Sequence, residues 1–256
     1  MLWVSGGAEG GCPPVPKALT GAVTSSRRDG TPTEEERNEV EKNRKIGPGE
    51  AEEKTVGIKG RKFTLLTPKF IEQYIDSENP LQDFPLWVKP WEASWVLADF
   101  LAGLPIEPEK RLLEIGCGLG LVGVVAASFG HRIVMTEHNP DAMEFARANA
   151  ELNHCSDVEI LDLDWNNPAI YSRFDYIVGS EVVYHEKDLE PLKKLFERLL
   201  KPDGEVILCE GIRKTTLDFF KEMQRHFDLK ALQKSIRSPE KTVLVILCRM
   251  KRKMQA

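Results

Sequence analysis

The sequence predicts an α/β fold: a doubly wound, mostly parallel seven-stranded sheet closed at one edge by an antiparallel C-terminal hairpin. Three observations carry this. From Arg111 onward, short apolar runs alternate with helical patterns, as a parallel sheet crossed over by helices requires. The first of these runs, Leu112-Leu113-Glu114-Ile115, stops at an acid and breaks into Gly116-Cys117-Gly118-Leu119-Gly120 before helical spacing resumes. The last two runs, near 229–235 and 242–249, have only Ser238-Pro239-Glu240 as a turn between them, so they pair antiparallel.

Upstream of that core, residues 1–53 combine Gly6-Gly7, Gly10-Gly11 and Pro13-Pro14 with the charged run Glu34-Glu35-Glu36-Arg37. Such a segment buries too little apolar surface to offset its ordering entropy, which predicts a disordered extension. Residues 54–105 read as an extended and helical cap. Val56, Ile58, Phe63, Leu65 and Leu66 around Gly60-Arg61 predict a small hairpin or a pair of extended pieces, followed by a short helical piece near Phe70 to Ile75. A helix is predicted over Glu92 to Leu104, with Trp95, Val96, Phe100 and Leu101 on one face. Trp87 and Trp95 read as core anchors. Residues 106–256 hold strands 111–115, 132–137, 157–163, 175–180 and 204–210 with helices 119–129, 140–152, 187–200 and 215–227, then the terminal hairpin.

With 256 residues and 41% hydrophobic content the chain can build a real core. Its net charge of -5 gives no sign of the basic surface that drives phosphate-backbone binding, so no nucleic-acid partner is expected. No apolar run reaches the length of a bilayer span, and Glu9 with its neighbouring glycines and prolines breaks any leader pattern, so no membrane partner is expected either. The five cysteines are scattered, with no Cys-x-x-Cys pair and no histidines at ligand spacing, which predicts no metal site. A reducing, cytoplasmic location follows as the default.

Glycines at the bend after the first core strand let the backbone take positive φ, so that a ligand meets bare amides and the N–H groups opening the next helix. Gly118-Leu119-Gly120-Leu121-Val122-Gly123 also fits the dinucleotide pattern G-x-G-x-x-G, so the loop alone does not choose its cofactor. Ligands in open sheets bind beyond the carboxyl ends of the strands, which directs attention to the loops after the first four. Glu137, 17 residues beyond Gly120, is placed to accept both hydroxyls of a ribose. The third loop reads Asp162-Leu163-Asp164-Trp165-Asn166, an acid for an adenine amino group and an indole to stack on its ring. The fourth reads Ser180-Glu181-Val182-Val183-Tyr184-His185 and gathers an acid, a phenol and an imidazole at the mouth of the sheet.

In these residues the chain resembles the class I methyltransferases, Rossmann-like enzymes that use S-adenosylmethionine. Leu113 to Gly120 resembles their motif I, and the antiparallel terminal hairpin separates that fold from nicotinamide-dependent relatives. More narrowly, over roughly residues 55–250, the chain is similar to the family 16 methyltransferase-like proteins, most of whose characterised members methylate lysine in other proteins. The resemblance implies S-adenosylmethionine as cofactor and a lysine-bearing protein as partner; the sequence leaves the oligomeric state open, with a monomer favoured. It implies cofactor contacts from Trp91, Glu114, Gly116, Cys117, Gly118, Glu137, Asp164, Trp165 and Ser180. The family's D-x-x-Y signature falls on Glu181-Val182-Val183-Tyr184, with Glu in place of Asp, and makes Glu181 and Tyr184 the candidate catalytic pair. In that role Glu181 accepts a hydrogen bond from the target amine and Tyr184 shapes an apolar slot, while His185 is an exposed loop histidine. Two alternatives stay open at this level: a methyltransferase acting on a small molecule or nucleic acid, and a nicotinamide-dependent oxidoreductase or non-catalytic nucleotide-binding domain.

Overall fold

The computed structural model describes residue 46 and residues 50–75, 84–237 and 242–253. The expected turn at Ser238-Pro239-Glu240 and nearly all of the 1–53 extension lie outside the described residues. Strands β1 (Ala51–Ile58) and β2 (Arg61–Pro68) form an antiparallel hairpin that stands apart from the main sheet. Because β1 begins at Ala51, regular structure starts inside the segment expected to lack it. The chain then runs through α1 (Glu92–Ala102), β3 (Arg111–Glu114), α2 (Leu121–Ser128), β4 (Arg132–Glu137), α3 (Pro140–Leu152) and β5 (Glu159–Asp162). It continues through β6 (Phe174–Ser180), α4 (Leu189–Leu199), β7 (Leu200–Gly211), α5 (Lys214–Met223), β8 (Phe227–Arg237) and β9 (Thr242–Arg252).

The seven strands lie in the order β5-β4-β3-β6-β7-β9-β8, parallel from β5 to β7 and antiparallel at β9 and β8. Alternation along the strands sends Leu112 to one apolar layer and Leu113 to the other, and likewise Ile207 and Leu208. A sheet buried on both faces needs such continuous apolar runs. Helices α1 and α2 cover one face; α4 and α5 cover the other through Leu192, Leu195, Phe196 and Leu199 and through Phe219, Phe220 and Met223. Helix α3 begins with Pro140, and Asn139 caps it by accepting the Ala142 N–H at 3.0 Å.

The fully buried face of α1 is Ala93, Leu97, Ala98 and Leu101, not the aromatic face read from the sequence. Two alanines let the helix approach closely, and Trp95, Val96 and Phe100 pack around its flanks half-buried. The β1–β2 hairpin is tied to α3 by two side-chain amides acting as a surrogate strand. Asn149 exchanges two hydrogen bonds with the Leu66 backbone at 2.6 and 3.1 Å, and Asn153 exchanges two with Thr64 at 3.0 and 2.7 Å. Val56, Ile58, Phe63 and Leu65 therefore join the same apolar layer as α1 and the sheet.

Chain direction places the site. From β3 the chain steps outward through β4 to β5, then returns to β6 on the other side of β3 and steps outward to β7. Loops leaving β3 and β6 diverge at this switch point and leave a crevice between them.

Candidate active site

The two loops that frame the crevice are Ile115 to Gly120, after β3, and Glu181 to His185, after β6. Gly116, Gly118 and Gly120 have φ of +61°, +52° and +83°, the left-handed region that glycine enters without strain. Bare backbone matters most at Gly116, where a Cβ would lie 3.1 Å from Val182 Cγ1 and 3.5 Å from the Trp165 ring. Gly120 caps α2, so the unpaired N–H groups of that helix open toward the loop. A cavity of about 430 Å³ lies over both loops.

Of the residues expected to bind cofactor, Trp91, Gly116, Cys117, Gly118, Glu137, Trp165 and Ser180 all line this cavity, and so do Glu181 and Tyr184. Glu137 is held by three backbone donors: Gly118 N–H reaches Oε2 at 2.9 Å, while His138 and Asn139 N–H reach Oε1 at 2.8 and 3.1 Å. This ties the end of β4 to the glycine loop and presents a carboxylate with spare acceptor positions to the cavity. Trp91 donates its indole N–H to Leu86 O at 2.6 Å, and the Lys89 ammonium lies 4.1 Å from its ring centroid. Ser180 shares a 3.0 Å hydroxyl contact with Ser94 of α1.

Two expected cofactor contacts are not in the cavity wall. Glu114 is 1% exposed and points back beneath α2, where a Cβ on Gly123 would lie 2.6 Å from its Oε2. Burial pushes its carboxyl well above the usual range, partly offset by the Gly123 backbone N–H at the start of α2. Its place at the last residue of β3 turns its side chain to the helix-covered face. Asp164 instead spends its Oδ1 on the backbone and side-chain N–H groups of Asn166, at 2.8 and 3.2 Å, closing a local turn.

Trp87, read as a core anchor, lines the cavity. Its Cβ and backbone lie 3.6–3.7 Å from where a Cβ on Gly118 would be, and its ring meets Tyr74 edge-on at 4.8 Å and Phe145 at 5.8 Å. The segment Phe84 to Trp91 thus straps an aromatic wall across the glycine loop. Tyr74 and Asn139 also line the cavity and carry no motif that marks them in the sequence.

At the β6 end, Glu181 itself adopts a left-handed φ of +52°. Its carboxylate does not stand free: Oε1 accepts the Gly211 N–H at 2.9 Å and Oε2 accepts from Arg213 Nη2. Arg213 also reaches Glu210 Oε2 at 3.3 Å and lies 4.7 Å from the centroid of the Tyr184 ring. Glu210 is fully buried, takes the N–H groups of Val182 and Val183 at 2.9 and 3.4 Å, and has its pKa pushed up to about 8 by burial and by the charge of Glu181. Burial and the same Glu181 charge raise the Tyr184 phenol, keeping it protonated. His185 is exposed at the rim and caps the short turn that follows, its N–H bonded to Asp188 Oδ2 at 2.8 Å. Glu210 and Arg213 escape a search confined to the first four core strands. The signal for them is the carboxyl end of β7, which opens on the same side as β6.

A glycine loop at the switch point of a seven-stranded sheet whose β9–β8 edge runs antiparallel marks the fold of the class I methyltransferases, whose cofactor is S-adenosylmethionine. The sequence profile of the lysine methyltransferase family matches residues 86–226, and the chain belongs to that family. It is 29% identical over 168 residues to protein N-lysine methyltransferase METTL21A of Xenopus tropicalis, covering 63% of this chain and 78% of that protein. Against the METTL21A of Danio rerio it is 33% identical over 149 residues, covering 55% and 68%. In fold it resembles the precorrin-6y C5,15-methyltransferase of Geobacter metallireducens, with a TM-score of 0.53, 16% identity and coverage of 66% of this chain and 91% of that one. The protein is thus an S-adenosylmethionine-dependent methyltransferase of protein lysine. The dinucleotide reading of the glycine loop gives way to this membership.

Proposed function

We propose that one cavity wall performs both tasks of this methyltransferase. Gly116, Cys117, Gly118, Trp91, Trp165 and Ser180 bind the donor, Glu137 takes its ribose hydroxyls, and Glu181 with Tyr184 receives the target lysine. The observation that supports this most is the presence of Glu181 and Tyr184 in the same cavity wall as the glycine loop and Glu137. S-adenosylmethionine supplies a methyl group on a sulfonium sulfur that leaves as a neutral thioether.

The protein must present a neutral, aligned amine, and a free lysine holds its proton up to a pKa of about 10.4. Glu181 accepts one amine N–H and so aims the nitrogen lone pair, which is where orientation lowers the barrier. Tyr184 and the aromatic strap exclude water from the amine's flanks and favour its uncharged form. The displaced proton leaves to water at the open mouth, beside His185. With the donor bound, the amine held by Glu181 would take its methyl group, and the S–C electron pair would stay with sulfur.

The acceptor is a lysine on a protein, as in the relatives whose names describe N-lysine methylation of proteins. The enzyme is read as cytoplasmic and monomeric, and a net charge of -5 gives no basic surface for a phosphate backbone. Incubating the enzyme with labelled S-adenosylmethionine and an extract lacking it tests the reading. Mass spectrometry should find methyllysine in a labelled protein band. A labelled small molecule with no labelled protein would overturn it.

A further inference from the structure

We propose that Arg213 is a positioning residue of the methyl-transfer site, holding the Glu181 carboxylate in the orientation from which it meets the target amine. The inference rests on the role given above to Glu181. Arg213 is the residue before α5, and its position there follows from the end of β7, not from the signature loop. Its Nη2 is shared among Glu181 Oε2, Glu210 Oε2 and Val183 O, the last at 3.4 Å, while its Nε stays buried without a hydrogen-bond partner. The guanidinium therefore sits where the carboxylates and the Tyr184 ring put it, at the expense of its own full satisfaction.

The geometry assigns each partner a distinct part. Glu210 pins Val182 and Val183, and so the turn that carries the signature. Arg213 and the Gly211 N–H together take one position on each Glu181 oxygen, leaving about two of four acceptor positions on a side chain that lines the cavity. The Glu181 backbone is already in a left-handed conformation, which a non-glycine residue holds only where its surroundings over-determine it. Without the guanidinium, Glu181 and Glu210 would face each other as two uncompensated carboxylates, and one of them would take up a proton. Glu210, the more deeply buried of the two, would hold that proton, and Glu181, left with only the Gly211 N–H to fix it, would no longer be aimed at the amine.

The test compares Arg213→Gln, Arg213→Lys and Glu181→Gln with the native enzyme. The readout is the initial rate of labelled methyl transfer into the labelled protein band of the extract, measured over a range of S-adenosylmethionine concentrations. Thermal shift with S-adenosylhomocysteine checks fold and donor binding. For Arg213→Gln the rate should fall at least about tenfold at pH 7, as a loss of kcat with the KM for S-adenosylmethionine unchanged. The S-adenosylhomocysteine shift should stay as in the native protein. Arg213→Lys keeps the charge but not the planar fork, so its rate should be intermediate. If Arg213→Gln does not fold, the Arg213→Lys rate decides alone: a rate within twofold of native overturns the proposal. A loss no smaller in Arg213→Lys than in Arg213→Gln also overturns it, since that is what a purely structural staple would give. Full turnover in Glu181→Gln would instead sink the role of Glu181, and is read separately.

Discussion

The Gly211 backbone N–H at the end of β7 donates to the Glu181 carboxylate at 2.9 Å, and a side chain at 211 would crowd that carboxylate. A Cβ there would lie 3.1 Å from Glu181 Oε1 and 3.2 Å from Arg213 Nη1. Gly211→Ala should therefore leave the fold intact and push the carboxylate a few tenths of an ångström. Displacements of about 1 Å in reacting groups cost about 10²-fold, so a loss of about tenfold in turnover is expected. Initial rates beside the S-adenosylhomocysteine thermal shift measure it; native turnover would show that the carboxylate's placement is not critical.

Glu181→Gln removes the charged acceptor but keeps the shape of the side chain. Turnover should drop by about 10²-fold or more, in the range for loss of a positioned acid or base, with donor affinity nearly unchanged. Isothermal titration with S-adenosylhomocysteine separates the two effects. A parallel loss of donor binding would mean that Glu181 belongs to the cofactor site.

Glu210 links stability to pH. Its folded-state pKa is pushed up to about 8, above the ordinary carboxyl value, so between those two values the folded protein binds more protons than the unfolded chain. Its contribution to stability is therefore fully present below the ordinary value and is lost as pH rises toward about 8. At about 1.4 kcal/mol per pKa unit the loss has a ceiling of about 5 kcal/mol. Urea unfolding of Glu210→Gln from pH 5 to pH 8.5 should show a shallower decline than the native protein. Identical slopes would rule out the linkage.

Glu137 joins the glycine loop to the end of β4 and faces the cavity. Hydrogen bonds to a charged group contribute about 1.5–3 kcal/mol each. Glu137→Gln, which replaces one acceptor oxygen with a donor against backbone donors, should weaken S-adenosylhomocysteine binding by about 10- to 100-fold. Titration calorimetry checks this, and an affinity within threefold of native would remove Glu137 from the donor site.

The sheet, its antiparallel edge and the places of Gly116, Gly118, Glu137, Trp165 and Glu181 were legible in the sequence because each depends on local pattern. Apolar runs bounded by glycine or an acid mark strand ends, and strand ends are where an open parallel sheet binds its ligands. The orientation of Glu114 and Asp164 was not legible. At a strand end, one residue of register decides whether a carboxylate faces a helix, closes its own turn or meets a ligand. Trp87 misled for a related reason: a tryptophan in a pocket wall and one in a core have the same composition around them.

By itself the sequence determined the fold, the glycine loop and the acid-to-tyrosine signature, since these are written in contiguous residues. Only the tertiary structure decided what surrounds that signature. The pairing of β6 with β7 sets Glu181 beside Gly211, Glu210 and Arg213, about thirty residues away in the chain. Charge interactions depend on distance in space, and no periodicity in the sequence records which side chains two neighbouring strand ends bring together.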